Sequence, residues 1–223
     1  MEHWYQKKTF GSLVQTMADR FGPREGLVFQ HERYTFLDIL HRVDEVAKGL
    51  IRLGIQPGEH VALWMVNRAE WIFTMFAVAK IGAVLVPVNT RFRTHDLKYI
   101  LKQSDARYLI SQDVSGPIDY LAMIRSVVDL PSIGDSISDP DFPELRKVVI
   151  FGQPNHSGCV GWDEMISSAS SVKNDVLAAR AADVDPDAAV YIMYTSGTTG
   201  FPKGVMQSHI LLRLVEERAF RLG

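Results

Sequence analysis

The chain has 223 residues, 47% hydrophobic and 22% charged, the profile of an ordinary globular protein with room for one large or two small domains. Its 24 basic and 26 acidic residues leave a formal net charge of −2, so composition makes no case for nucleic acid or an anionic membrane surface as partner. A single cysteine excludes an internal disulfide framework and makes a reducing cytoplasm the expected compartment.

The first residues carry neither a long apolar core nor a small-residue cleavage site, so no signal peptide is expected. In "GSLVQTMADRFG", Leu13, Val14, Met17 and Phe21 share one helical face and Gly22 ends the helix. "GLVFQHERYTF" predicts two strands turning at His31 and Glu32. Thr35 caps the next helix, with Asp38 completing a shortened capping box. Its apolar face runs through Leu37, Leu40, Val43, Ala47, Leu50 and Ile51 to a stop at Gly54.

"HVALWMV" then reads as a buried strand, and Asn67 as the cap of a helix bearing Trp71, Ile72, Met75, Phe76 and Ala79. The apolar run from Trp71 to Val88 approaches the length of a membrane span. Lys80, Gly82, Pro87 and a change of period at Gly82 divide it instead into that helix and a strand, "AVLVPV". "THDLKYILKQSD" is helical with Leu97, Ile100 and Leu101 inward, "RYLI" is a strand, "PIDYLAMIRSVV" a helix and "KVVIF" at 147–151 a strand. Two loops follow from composition, "PSIGDSISDPDFP" and "HSGCVG". Cys159, in the second, has no visible oriented base and is expected to be a bystander thiol. A helix over Asp175–Ala182 precedes the strand "AVYIMY".

Strands without polar alternation, separated by helices, imply a parallel sheet covered on both faces. The expected fold class is α/β, a doubly wound and mostly parallel sheet with helices on both sides. Trp71 and Phe76, at helical spacing, belong to that core rather than to an adenine platform.

Past the last strand lies "YTSGTTGFPKG", residues 194–204. Glycines at 197, 200 and 204 free the backbone to turn successive amides into one concavity. Thr195, Ser196, Thr198 and Thr199 add hydroxyls, and Lys203 adds a full positive charge. A helix expected to start near Val205 or Met206 would lend its positive end. Such a donor set suits a polyphosphate. Neither familiar phosphate pattern fits: the position five after Gly197 is Pro202, which breaks the Walker spacing, and Gly197 and Gly200 are wrongly spaced for a dinucleotide fingerprint.

The run closely resembles the signature loop [YF]-T-[ST]-G-[TS]-T-G-x-P-K-G of the adenylate-forming enzymes, which include acyl-CoA synthetases, peptide-synthetase adenylation domains and firefly-type luciferases. "YTFLDI", "LGIQPGEHVA" and "AKIGAVLVPVN" resemble further stretches of that family's N-terminal region, and the likeness covers most of residues 30–220. "PVNTRF" is more similar to the acyl-CoA synthetases, since adenylation domains usually carry Asp at the position of Asn89. The fold implied is part of the family's large N-terminal domain.

The resemblance implies ATP, Mg²⁺ and, as acceptor substrate, coenzyme A, with a carboxylic acid activated as its adenylate. Tyr194, Thr195, Ser196, Gly197, Thr198, Thr199, Gly200, Lys203 and Gly204 would form the nucleotide-phosphate loop. Lys203 would act catalytically on the leaving pyrophosphate, and Thr195 would contact Mg²⁺. His209 could approach the nucleotide or simply pack; Asn89 and Arg91 could face a cleft or close a turn. The family's later motifs, "Y-G-x-T-E", "T-G-D", the hinge and the late lysine, have no counterpart here. The expectation is therefore an N-terminal portion inactive by itself, with residues 1–185 as one subdomain and 186–223 opening a second. Such a portion would associate with the missing C-terminal part or form a homodimer. The alternative is a non-catalytic α/β module with residual polyphosphate binding or a partner-chain role.

Overall fold

The computed structural model describes residues 7–132, 136–154, 156–195 and 202–222. Helix α1 (Phe10–Phe21) is opened by a reciprocal cap, Ser12 N–H to Thr9 Oγ1 and Thr9 N–H to Ser12 Oγ, both 3.0 Å, and ends at Gly22. Strands β1 (Glu25–Phe29) and β2 (Glu32–Thr35) form a small hairpin. Its turn falls at Gln30 and His31, one residue earlier than the sequence suggested, with Gln30 at φ 53°.

Helix α2 (Phe36–Leu53) starts on the expected box: Thr35 Oγ1 accepts from Asp38 N–H at 3.1 Å and Asp38 Oδ2 from Thr35 N–H at 2.9 Å. These bonds to Thr35 hold the Asp38 carboxyl below the usual carboxylate range. Gly54 ends the helix at φ 100°, where a side chain would be strained, and its N–H returns to the carbonyls of Leu50 and Ile51. The buried face runs through Ile39, Val43, Val46, Ala47 and Leu50; Leu37, assigned to that face from the sequence, is 51% exposed because at about 100° per residue it points roughly 120° away from Val43 on the buried stripe.

The central elements follow as β3 (His60–Trp64), α3 (Ala69–Lys80), β4 (Val84–Pro87), α4 (Thr94–Gln103) and β5 (Tyr108–Gln112). Asn67 does not cap α3. Arg68 occupies the cap position without a side-chain cap bond and instead pairs with Glu70 at 2.6 Å. The segment read as one helix from Pro117 begins as a hairpin, β6 (Val114–Ser115) with β7 (Ile118–Asp119), before α5 (Tyr120–Arg125), because Asp119 caps at Ala122 N–H. Next come β8 (Lys147–Phe151), β9 (Val160–Gly161, within the expected "HSGCVG" loop), α6 (Trp162–Ser168), a 3-10 turn, α7 (Asn174–Ala182), β10 (Ala189–Thr195), β11 (Lys203–Ser208) and α8 (Ile210–Leu222). No helix among the described residues is long and apolar enough to cross a membrane.

Seven strands form one sheet in the order β11-β10-β4-β3-β5-β8-β9, parallel throughout except where β11 runs antiparallel to β10. The boundary expected at 185/186 lies between α7 and β10, and beyond it β10 and β11 extend this same sheet.

Strand alternation divides the core. Val61, Leu63, Leu85 and Ile110 face helices α1, α2, α3, α6 and α7 through residues such as Val14, Val43, Phe73, Met165 and Leu177. Ala62, Trp64, Val86 and Leu109 face α4 and α5 through Leu97, Ile100, Leu121 and Ile124. Trp71 and Phe76 pack on the first cluster, as expected.

The head of the chain is tied to its tail. Lys7 pairs with Asp187 at 2.5 Å and Lys8 with Glu216 at 2.6 Å; the Phe10 ring meets Tyr191 edge-on at 5.3 Å.

Candidate functional site

Strand β10 leaves the core as it runs: Val190, Tyr191 and Ile192 are buried, Tyr194 is half-buried and Thr195 exposed. It lies parallel to β4 and β3, so its end emerges on the rim where those strands also end, the side on which open α/β sheets take ligands. β11 returns beside it, with Thr195 opposite Lys203 and Tyr194 opposite Gly204. Four expected site residues, Tyr194, Thr195, Lys203 and Gly204, are thus brought together at the mouth of a hairpin. Ser196, Gly197, Thr198, Thr199 and Gly200 lie outside the described residues.

The helix expected near Val205 or Met206 is instead strand β11, and α8 starts only at Ile210. Six strand residues separate the mouth from α8, roughly 20 Å at the usual rise, so that helix's positive end does not reach the loop.

Helix α4 runs under the mouth. Tyr99 Oη donates to the Pro202 carbonyl at 3.0 Å, and Tyr194 Oη donates to Gln103 Oε1. Burial pushes the Tyr194 phenol up to about 12, so it remains a donor at neutral pH. A Cβ on Gly204 would come within 3.0 Å of Ile192 Cγ2, 3.3 Å of Tyr194 Cζ and 3.4 Å of Gln103 Oε1, so this glycine keeps the packing open as well as supplying bare backbone. Beside these contacts an open groove of about 430 Å³ is lined by His95, Lys98, Tyr99, Lys102 and Gln103. Asp141 reaches Lys98 at 2.6 Å and raises that ammonium's pKa. Tyr99 and Gln103 escaped the sequence reading; about a hundred positions from the loop, they carry no local signal of it.

On the same rim Asn89 closes a turn. Its Oδ1 accepts from Arg91 N–H at 2.9 Å, and its carbonyl accepts from Phe92 N–H at 3.0 Å and Trp64 Nε1 at 3.1 Å. Arg91 is exposed there. His209 packs rather than facing the loop. It is 2% exposed at the far end of β11, accepts from Phe10 N–H through Nδ1 at 3.1 Å, and burial pushes its pKa down to about 4. The proton of the neutral ring is therefore on Nε2. Cys159 packs against the second core cluster, its N–H donates to the His156 carbonyl at 3.0 Å, and burial pushes its thiol up to about 11, the state of an inert cysteine.

Thr195 hydroxyl, Lys203 ammonium and bare Gly204 backbone suit phosphate oxygens. Magnesium fits less completely. Among the described residues no group of three His, Cys, Asp or Glu could hold a metal, and the Thr195 hydroxyl is a single hard oxygen donor.

The sequence profile of AMP-binding enzymes matches residues 14–215. YngI of Bacillus subtilis, a provisionally named acyl-CoA synthetase, is 39% identical over 207 residues, 90% of this chain and 37% of that protein. The human mitochondrial medium-chain acyl-CoA ligase ACSF2 is 29% identical over 209 residues, 91% of this chain and 34% of that protein. Among solved structures, the anthranilate CoA ligase AuaEII in complex with anthranoyl-AMP aligns with a TM-score of 0.75 at 24% identity, covering 91% of this chain and 35% of that one. The N-terminal domain of FACL13 from Mycobacterium tuberculosis gives 0.69 at 27% identity, covering 92% and 46%. The chain spans little more than a third of the two relatives' length.

Proposed function

The chain belongs to the AMP-binding enzyme family, and from that premise we propose that it supplies the polyphosphate-gripping part of an ATP-dependent carboxylic acid–CoA ligase. The observation that carries this reading is the hairpin mouth, where Thr195 at the end of β10 faces Lys203 at the start of β11 on the sheet's carboxyl rim.

In the proposed first half-reaction a substrate carboxylate attacks the α-phosphorus of ATP, giving an acyl-adenylate and pyrophosphate. In the second the acyl group passes to the thiol of coenzyme A. Catalysis of this kind rests on placing the phosphates and neutralising charge as the leaving group departs. Lys203 supplies that positive charge, Thr195 donates to a phosphate oxygen or contacts Mg²⁺, and Tyr194 fixes the start of the loop whose amides and hydroxyls, from Ser196 to Gly200, complete the grip. Residues 186–223 then open a second subdomain after 1–185. The rest of such a ligase is the expected partner, and the cytoplasm, with a place in fatty-acid metabolism, the expected setting.

The test is ATP–pyrophosphate exchange by the complete protein that carries this chain. Lys203→Ala is expected to lower exchange roughly tenfold or more, the worth of one charge-assisted hydrogen bond, with the fold intact. Unchanged exchange counts against the reading.

A second reading draws on one observation. Met206 is 65%, Val215 66% and Leu222 87% exposed on β11 and α8, apolar side chains that another polypeptide could cover. A non-catalytic module that binds polyphosphate and pairs with a partner chain would show it too. AMP release from ATP, a carboxylic acid and coenzyme A separates the two, since only the ligase forms AMP.

A further inference from the structure

The contacts beneath the hairpin point to a role for α4. We propose that Tyr99 and Gln103 are positioning residues that clamp the two stems of the phosphate hairpin, so that the nucleotide meets a mouth of fixed width. The inference rests on the ligase reading given above.

The hairpin needs such support. Among the described residues β11 is the outermost strand of the seven and has β10 as its single neighbour in that sheet. Seven residues join Thr195 to Lys203 in the sequence, and fixing the two stems beforehand lowers the entropy that ligand binding has to offset.

Helix α4 provides two anchors at the right separation. Tyr99 and Gln103 are four positions apart and so lie one above the other on a single helical face, with Cβ atoms roughly 5–6 Å apart. Neighbouring strands run about 4.8 Å apart. One turn of α4 therefore matches the gap between the stems. Tyr99 holds the returning stem through the Pro202 carbonyl, and Gln103 holds the outgoing stem through the Tyr194 phenol. Gln103 Oε1 also stands beside Gly204, 3.4 Å from where a Cβ would be, so the same amide group lies next to both stems.

The helix that carries the anchors is firmly seated. Leu97 and Ile100 are fully buried and Leu101 is 2% exposed, which seats α4 on the sheet. Asp96 Oδ2 accepts from Arg93 N–H at 2.9 Å and fixes the helix start. Arg93 Nη1 donates to the carbonyls of Arg91 and Phe92, both at 2.9 Å, and ties down the turn before it. Neither anchor is assigned any contact with substrate. Each acts through the stem it holds.

The test has two readouts. The first is amide hydrogen exchange of Tyr194, Thr195, Gly204 and Val205 in the 223-residue chain. Tyr99→Phe and Gln103→Leu are each expected to accelerate it about fivefold, the worth of one net hydrogen bond, while amides of β3 and β5 stay unchanged. Tyr194→Phe removes the same bond as Gln103→Leu, so the two together should cost no more than either alone. The second readout is pyrophosphate exchange by the complete protein, where Tyr99→Phe should raise the KM for ATP about fivefold and leave the KM for the carboxylic acid alone. Unchanged amide exchange overturns the clamp, as does a loss that spreads evenly over the sheet. Faster amide exchange with an unaltered KM for ATP, while Lys203→Ala still impairs the reaction, overturns the positioning role alone. If Lys203→Ala is also silent, the ligase reading fails, and the inference with it.

Discussion

Acidification should destabilise this protein through one side chain, His209. Its ring is buried against Phe10, whose N–H it accepts through Nδ1, and its pKa lies near 4 in the fold against about 6.5 in an unfolded chain. The main cause is burial, which penalises the charged ring; Asp185 opposes it weakly. A folded pKa below the unfolded one means that the unfolded chain takes up protons first as pH falls. Stability is therefore complete above pH 6.5 and is lost progressively between 6.5 and 4. Between pH 7.5 and pH 5 the linkage amounts to about 2 kcal/mol, because at pH 5 the unfolded ring is almost wholly charged and the folded ring mostly neutral.

The assay is urea unfolding at both pH values for the parent and for His209→Asn, whose amide oxygen offers an acceptor near the position of Nδ1 but does not titrate. The parent should lose about 2 kcal/mol more than the variant between the two conditions. Equal losses in both proteins would refute the argument, since every other histidine is common to them.

Two further outcomes follow from groups the hairpin does not involve. Glu59 is 7% exposed and accepts from Arg107 at 2.6 Å, Arg146 at 3.0 Å and Gln56 N–H at 2.9 Å, so Glu59→Gln should cost about 2–3 kcal/mol and lower the melting temperature by about 5–10 °C. A melt within about 2 °C of the parent would show that the network is dispensable. Cys159, with its thiol pushed up to about 11, should react with an aromatic disulfide at pH 8 at least ~100-fold more slowly in the folded protein than in urea, and comparable rates would contradict its burial.

Much of the fold was legible because its signals are local. Thr35 with Asp38, Gly54 after Leu53 and the unbroken apolar strands each state a boundary within a few residues. Where two local rules compete, the reading fails. "KGVMQS" follows a glycine-rich loop, which suggests the loop-to-helix pattern of other phosphate sites, yet its partner is β10 and pairing decides for strand. Asn67 resembles a cap, but the helix starts two residues on, with Arg68 held by Glu70 instead. Short pieces such as β9 and α6 exist through tertiary contact, Trp162 and Met165 being buried on the sheet, and have little intrinsic preference to betray them. The loop chemistry at Thr195 and Lys203 could be read from composition. Its support by Tyr99 and Gln103 could not, since only the sheet order brings α4 beneath the last hairpin.

The stitching of head to tail has a bearing on how this polypeptide comes into being. Phe10 meets His209 across 199 positions, so the first helix leaves the ribosome long before its seat has been made. Until Tyr191 arrives to take the Phe10 ring, α1 leans mainly on α2 and α3, and final closure must wait for contacts of high sequence separation, which form slowly. A protease that trims ten residues from the amino end therefore removes the partners of Tyr191, His209 and Glu216, and its effect would surface nearly two hundred positions along the chain.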